Sequence, residues 1–385
     1  DKRREQLKEV VDAFALKYPG SRIVVTSRTY AYQKQAWELQ QFKATVLQPF
    51  SVGQIHRFVD GWYAYTAWRR DHPEGWATAR ARSLKDAIFS QKNLYELAER
   101  PLLLTLMASL HAWRRGELPN DRQELYEDSV DLLLNRWERR QRVWDGEKET
   151  EMQPSLVEWL KTDRAKVREV LNALAYEAHV EQGDREQTAD IPQKKLLDEL
   201  GALSNNPDFN PRQLEKYLRD RAGLIAARGD AVYTFPHRTF QEYLAACHFI
   251  YNVNSGYPDS VPQMARTAPN TWREVLLLAA AMEGPNRVWT LVEALCNYSE
   301  EIVDEADLWG RQLAGQMLQE TIEPQPSLNK KNSQLRHWVQ TGLEHFMLTP
   351  GLPATERAIA GASLAFLGET RLDVACDVPQ MVDVP

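Results

Sequence analysis

The stretch Tyr233-Thr234-Phe235-Pro236-His237-Arg238-Thr239-Phe240-Gln241-Glu242-Tyr243-Leu244-Ala245-Ala246 decides how the chain folds. Its first residues end a short β-branched and aromatic run, residues 231–235, and its second half opens a helix from about Thr239. Just upstream, Leu224-Ile225-Ala226-Ala227 and a Gly229-Asp230 turn complete a β-hairpin. Before the hairpin, apolar spacing predicts helices over 165–180, 194–203 and 212–222. Helices, a two-stranded wing and a further helix describe a winged-helix domain, assigned to residues 151–252.

Working outward, residues 1–50 read as a small α/β part. Leu7, Val10, Val11 and Phe14 give residues 3–16 the spacing of an amphipathic helix, stopped by Tyr18-Pro19-Gly20. The run Arg22-Ile23-Val24-Val25-Thr26 fits a strand buried on both faces of a parallel sheet, and a second strand is expected over 44–47. Residues 51–150 read as a helical domain with helices over 51–68, 83–99, 101–114 and 122–140. Pro101 opens one of these, where a first-turn proline is tolerated, and 141–153 reads as a polar surface connection. A second helical domain is expected over 253–350. Residues 351–385, with one helix at 355–367, read as a linker toward a further C-terminal domain. The fold class is therefore mainly α with a small α/β part.

Composition narrows the function classes. The 385 residues are 43% hydrophobic and 26% charged, which is ordinary for a globular chain of several units. A net charge of −7 gives no general reason to expect nucleic acid binding. The three cysteines, Cys247, Cys296 and Cys376, have no metal-ligand or disulfide spacing, and the histidines lack i, i+4 pairing, so no metal site is expected. No apolar run reaches the ~20 residues of a spanning helix, and a cytoplasmic location is expected.

Three segments together resemble the NACHT family, a STAND-class branch of the AAA+-related signalling NTPases. Residues 18–28, ending Thr26-Ser27-Arg28, are similar to that family's sensor-1 strand. Leu97-Ala98-Glu99-Arg100-Pro101-Leu102-Leu103-Leu104, with Leu118-Pro119, Arg122 and Leu125-Tyr126, resembles the small helical lid over the nucleotide. The stretch at 233–246 resembles the winged-helix signature. The resemblance covers residues 1–300 and implies the edge of a parallel-sheet NTPase core, a lid, a winged helix and a C-terminal helical domain. No GxxxxGK[ST] phosphate loop and no paired acidic residues after an apolar strand occur in the chain. The chain is therefore expected to be the C-terminal part of such a protein, with the magnesium ligands outside it and no catalytic residue within it.

The resemblance implies three nucleotide-binding residues. Arg28, at the carboxyl end of a predicted strand, would sense the γ-phosphate of ATP; otherwise it is a loop arginine paired with a carboxylate. Pro101 would pack against adenine, in addition to starting its helix. His237 would donate to the diphosphate of ADP; otherwise it is a buried histidine bonded to a backbone carbonyl. Glu242 and Tyr243 read as packing and hydrogen bonding, the Arg136, Arg139, Arg140 and Arg142 cluster as a solvated helix face, and Arg228-Gly229-Asp230 as a hairpin turn. The expected function is an ATP/ADP-operated switch using Mg2+, with self-association on activation and a role in bacterial defence. The alternative is a non-enzymatic helical scaffold derived from a degenerate NTPase. Residues 1–385 alone are expected to show no ATP turnover. Residues 355–364, 367–371 and 379–382 also resemble linkers to formylglycine-generating-enzyme-like or C-type-lectin-like domains.

Overall fold

The structure is a computed structural model that describes residues 2–26, 39, 42–90, 92–119, 121–135, 142–145, 148–152, 163–182, 189–204, 209–229, 231–323, 326–368, 372–373 and 378–379. It divides into two compact units, residues 1–108 and 109–385.

The first unit contains α1 (Lys2–Lys17), α2 (Val52–Arg70), α3 (Trp76–Ser90), α4 (Lys92–Ala98) and the start of α5 (Pro101–Trp113). Ser51 opens α2 with its backbone N–H donating to Gln54 Oε1 at 2.8 Å, which satisfies one of the orphan groups at the helix start. Ile55, Val59 and Tyr63, on one face of α2, are fully buried and pack on α3, where Leu84 and Ile88 are fully buried too. Asp71 closes α2 in the left-handed region at φ 52°. The expected single helix over 83–99 is two helices, and the first begins seven residues earlier than expected.

The strands expected at 22–26 and 44–47 are not formed, and this corrects the α/β reading of residues 1–50. Both runs lie exposed, with Val24 at 86% and Leu47 at 96% of full exposure. A β-branched run becomes a strand only when a neighbour completes its hydrogen-bond ladder, and none does so among the described residues.

The second unit continues with α6 (Arg122–Asn135), the hairpin β1 (Arg142–Asp145) and β2 (Lys148–Met152), then α7 (Arg164–Gln182). The hairpin replaces the surface connection expected at 141–153. Next come β3 (Ile191–Pro192), α8 (Gln193–Gly201), α9 (Pro211–Tyr217), a π-turn over Leu218–Ala222, β4 (Ala226–Gly229), β5 (Val232–Thr234) and α10 (Arg238–Tyr251). The strands form an antiparallel sheet in the order β3-β5-β4. Ala227 pairs with Tyr233 and Gly229 with Val232, so the wing carries a bulge next to its turn. The expected helix–wing–helix order holds, with β3 as an added edge strand. Asn210 caps α9 by accepting from Arg212 N–H at 3.0 Å.

Five helices follow: α11 (Ser260–Thr267), α12 (Pro269–Leu295), α13 (Glu305–Thr321), α14 (Lys330–Leu348) and α15 (Ala354–Leu367). Gly284, at φ 70° and ψ −178° ahead of Pro285, kinks α12. Small residues let these helices meet closely. A Cβ on Gly310 of α13 would stand 2.2 Å from Leu295 O, and one on Gly342 of α14 would stand 2.0 Å from Arg311 Cδ. Arg273 grips Glu356 with two hydrogen bonds of 3.0 and 2.7 Å, fixing α12 to α15. Arg311 is fully buried. Its Nη2 donates to the carbonyls of Ser299, Glu300 and Glu301 at 2.9 to 3.0 Å, holding the turn between α12 and α13.

Two-residue strands β6 (Leu372–Asp373) and β7 (Val378–Pro379) pair near the end of the chain. No helix among the described residues is long and apolar enough to cross a membrane.

Candidate functional site

The first turn of α10 carries the one expected site residue whose surroundings are rich in polar contacts. His237 is the N-cap, extended at φ −144° and ψ 146°, and its side chain takes the place usually held by serine or aspartate. Thr239 N–H donates to His237 Nδ1 at 3.2 Å, and Thr239 Oγ1 stands 2.9 Å from the same nitrogen. Because Nδ1 accepts a backbone bond, a neutral ring carries its proton on Nε2, which makes that nitrogen a donor. His237 is half-buried. Pro101 is exposed at the start of α5, so its missing N–H costs the helix nothing. It belongs to the first unit and His237 to the second. Arg28 lies outside the described residues.

Aromatic packing and ion pairs fix the turn that holds His237. Tyr126 of α6 meets Phe240 edge-on at 5.8 Å and stacks on Tyr243 at 5.7 Å. Burial pushes the Tyr126 phenol up to about 12. Arg238 donates to Glu242 Oε1 at 2.6 Å, and Arg168 donates to Tyr243 OH at 2.6 Å and to Asp131 Oδ1 at 2.7 Å. Glu242 and Tyr243 thus do the packing and hydrogen bonding expected of them. Arg122, at the start of α6, pairs with Glu274 of α12 at 2.9 Å and Glu320 of α13 at 3.5 Å. The winged helix and the helices after it are therefore tied at several polar points.

A buried polar hub lies along α10 and was not singled out from the sequence. Gln241 Nε2 donates to Gln182 Oε1 at 3.0 Å and stands 3.2 Å from His179 Nδ1, while Ala189 N–H donates to Gln241 Oε1 at 2.9 Å. His179 Nε2 stands 2.9 Å from Thr271 O. A carbonyl accepts only, so Nε2 carries the ring proton and Nδ1 accepts from Gln241. Three elements, α7, α10 and α12, meet at this point. Gln241 gave no signal of its own in the sequence, because a single glutamine between His237, Arg238 and His248 on a helix reads as surface.

Burial drives the His179 pKa down from 6.5 to about 4, opposed by its bond to the Thr271 carbonyl. Between those values the unfolded chain binds a proton that the folded chain refuses. Stability contributed by the neutral ring is complete above pH 6.5 and is lost as the pH falls toward 4, by up to about 3 kcal/mol. The expected result is that the stability advantage of wild type over His179→Gln narrows as the pH drops from 7 to 4. A gap that stays constant across that range in urea titrations contradicts a buried neutral His179.

The basic side chains of the wing and of the π-turn that ends α9 face their own carboxylates. Arg219 pairs with Glu215 and Asp220, at 2.8 and 2.7 Å, and Arg228 pairs with Asp190 at 2.7 Å. Among the described residues there is no group of three or more His, Cys, Asp or Glu side chains able to hold a metal ion. Residues 122–249 match the family described as the winged helix-turn-helix domain C-terminal to NACHT. No curated protein matches the chain.

Proposed function

We propose that this NACHT-family protein, which carries the winged helix that follows a NACHT domain, works as a nucleotide-operated signalling switch. The observation that supports the reading most directly is His237. It is a histidine N-cap at the first turn of α10, inside the domain the family match covers, with Nδ1 accepting from Thr239, so that a neutral ring carries its proton on Nε2. A diphosphate accepting from Nε2 would bear directly on the start of α10, and through Tyr126 and Arg122 on α6, α12 and α13. In this reading ADP is held by His237, by the exposed face of Pro101 against adenine, and by the NTPase core. Arg28 would contact the γ-phosphate only when ATP is bound. Exchange of ADP for ATP would free the winged helix and allow self-association. The bound nucleotide supplies the charge that distinguishes the two states, and Mg2+ would be held by residues other than those described. Defence signalling and ATP hydrolysis belong to the same proposal.

Two substitutions separate the cap from the ligand. His237→Asn keeps a good N-cap but removes the imidazole, whereas His237→Ala removes both. In the full-length protein, both are expected to weaken ADP binding about tenfold or more, the loss of one charge-assisted hydrogen bond. Only His237→Ala is expected to lower stability as well, by about 1 kcal/mol. Equilibrium titration showing wild-type ADP affinity in both variants would remove His237 from the switch. It would favour the alternative in which the helical units serve as a scaffold.

A further inference from the structure

The solvent face of α2 has a shape that the first unit's own packing does not use. Positions 57, 61, 64 and 68 follow the 4-3-4 spacing that runs along one line of a helix, and they hold Arg57, Gly61, Ala64 and Trp68. The opposite face already buries Ile55, Val59 and Tyr63. On the outer line Trp68 is 78% exposed, and Tyr65 beside it is 55% exposed with its ring 5.8 Å from that of Trp68. Trp68 is among the largest apolar groups a protein has, and here it stands in water on a helix whose core face is complete. Gly61 is the reverse case, since a Cβ added there would meet nothing within 4 Å. Two turns of helix, about 10 Å, separate the projecting tryptophan from the bare glycine.

A knob and a hollow on one line of one helix are complementary to the same line run backwards. A twofold axis passing near Ala64 and Tyr65 lays a second α2 antiparallel to the first. Trp68 of each copy then covers Gly61 of the other, and a single operation fills both hollows. The same operation brings matching flanks together. Arg57 lies four residues before Gly61 and Asp71 three residues after Trp68, flanking the pair along the same line, so the antiparallel register brings each Arg57 close to the other copy's Asp71. Both side chains are exposed, and neither forms an ion pair with another described residue. We propose that α2 is a dimerisation helix, through which two copies of this chain pair antiparallel, Trp68 against Gly61 and Arg57 against Asp71.

The dimer does not depend on the nucleotide reading, and the measurement is made without nucleotide. One helix pair buries less than a standard interface, so a Kd of about 10–100 µM is expected for the 385-residue chain. Sedimentation equilibrium reads it. Trp68→Ala, which empties the knob, and Gly61→Trp, which fills the hollow, are each expected to weaken the dimer at least about tenfold. Both positions are exposed, so far-UV circular dichroism should be unchanged. Arg57→Glu is expected to weaken it about fivefold, and adding Asp71→Lys to recover most of that loss. A chain that stays monomeric to a few hundred micromolar, or a dimer indifferent to Trp68→Ala, overturns the proposal. So does a charge reversal that fails to recover. A monomer that binds single-stranded oligothymidylate only while Trp68 is present would assign the face to nucleic acid instead, and equally overturns it.

Discussion

Replacing Arg311 with alanine is expected to destabilise the α12–α14 region by about 4 kcal/mol, measured as lost amide protection in hydrogen exchange. The side chain is fully buried, and its Nη2 is the donor shared by the carbonyls of Ser299, Glu300 and Glu301. Burying a guanidinium is costly, but its charge-assisted bonds to three carbonyls offset that cost. Alanine removes those bonds and leaves a gap where the arginine stem fills the space over Gly342, which adds a cavity term. Arg311→Lys is expected to recover only part of the loss, because an ammonium lacks the planar fork. Exchange rates over 299–301 and in α14 that match wild type would show that the arginine is not what holds the turn.

Gly310→Ala is expected to cost more than about 3 kcal/mol, through overpacking instead of loss. The added methyl would stand 2.2 Å from the backbone oxygen of Leu295 and 3.0 Å from Arg266 Cγ. A flexible side chain gives way cheaply, but a carbonyl at the end of α12 moves only if the helix moves with it. The Arg266–Asp307 ion pair, beside the same contact, would be displaced too. Thermal unfolding followed at the C-terminal helices should shift by several degrees. An unchanged transition would mean that α12 and α13 slide apart at little cost.

Helices were the legible part of this fold. Ile55, Val59 and Tyr63 in α2, and Leu103, Leu104 and Met107 in α5, announce a buried face by spacing alone. The wing was legible because Gly229-Asp230 between two short β-prone runs specifies a hairpin. The edge strand β3 was not, since two residues, one of them Pro192, carry no periodicity. The run at 22–26 misled for the opposite reason: its residue types fit a strand, but a ladder needs a partner. His237 was found through the motif around it, whereas its role as N-cap came only from backbone geometry. Arg311 and the Gln241 hub were invisible for a shared physical reason. Each depends on atoms brought together from distant parts of the chain, and a lone arginine or glutamine in a helical pattern looks like surface.

The hub of His179, Gln182 and Gln241 also restricts how this protein is able to drift in sequence. Gln241 serves the Gln182 side-chain oxygen and the His179 ring with one nitrogen and accepts from Ala189 with its oxygen. A leucine at 241 takes a bond from the His179 ring, from Gln182 and from the Ala189 N–H at once, whereas a leucine at 179 or 182 takes one bond from Gln241. Three apolar residues together cost only the bonds to the Ala189 N–H and the Thr271 carbonyl, fewer than a leucine at 241 alone. The route between a polar and an apolar version of this junction therefore passes through variants worse than either end. Positions separated by some sixty residues, 179 and 241, are bound to change together or not at all.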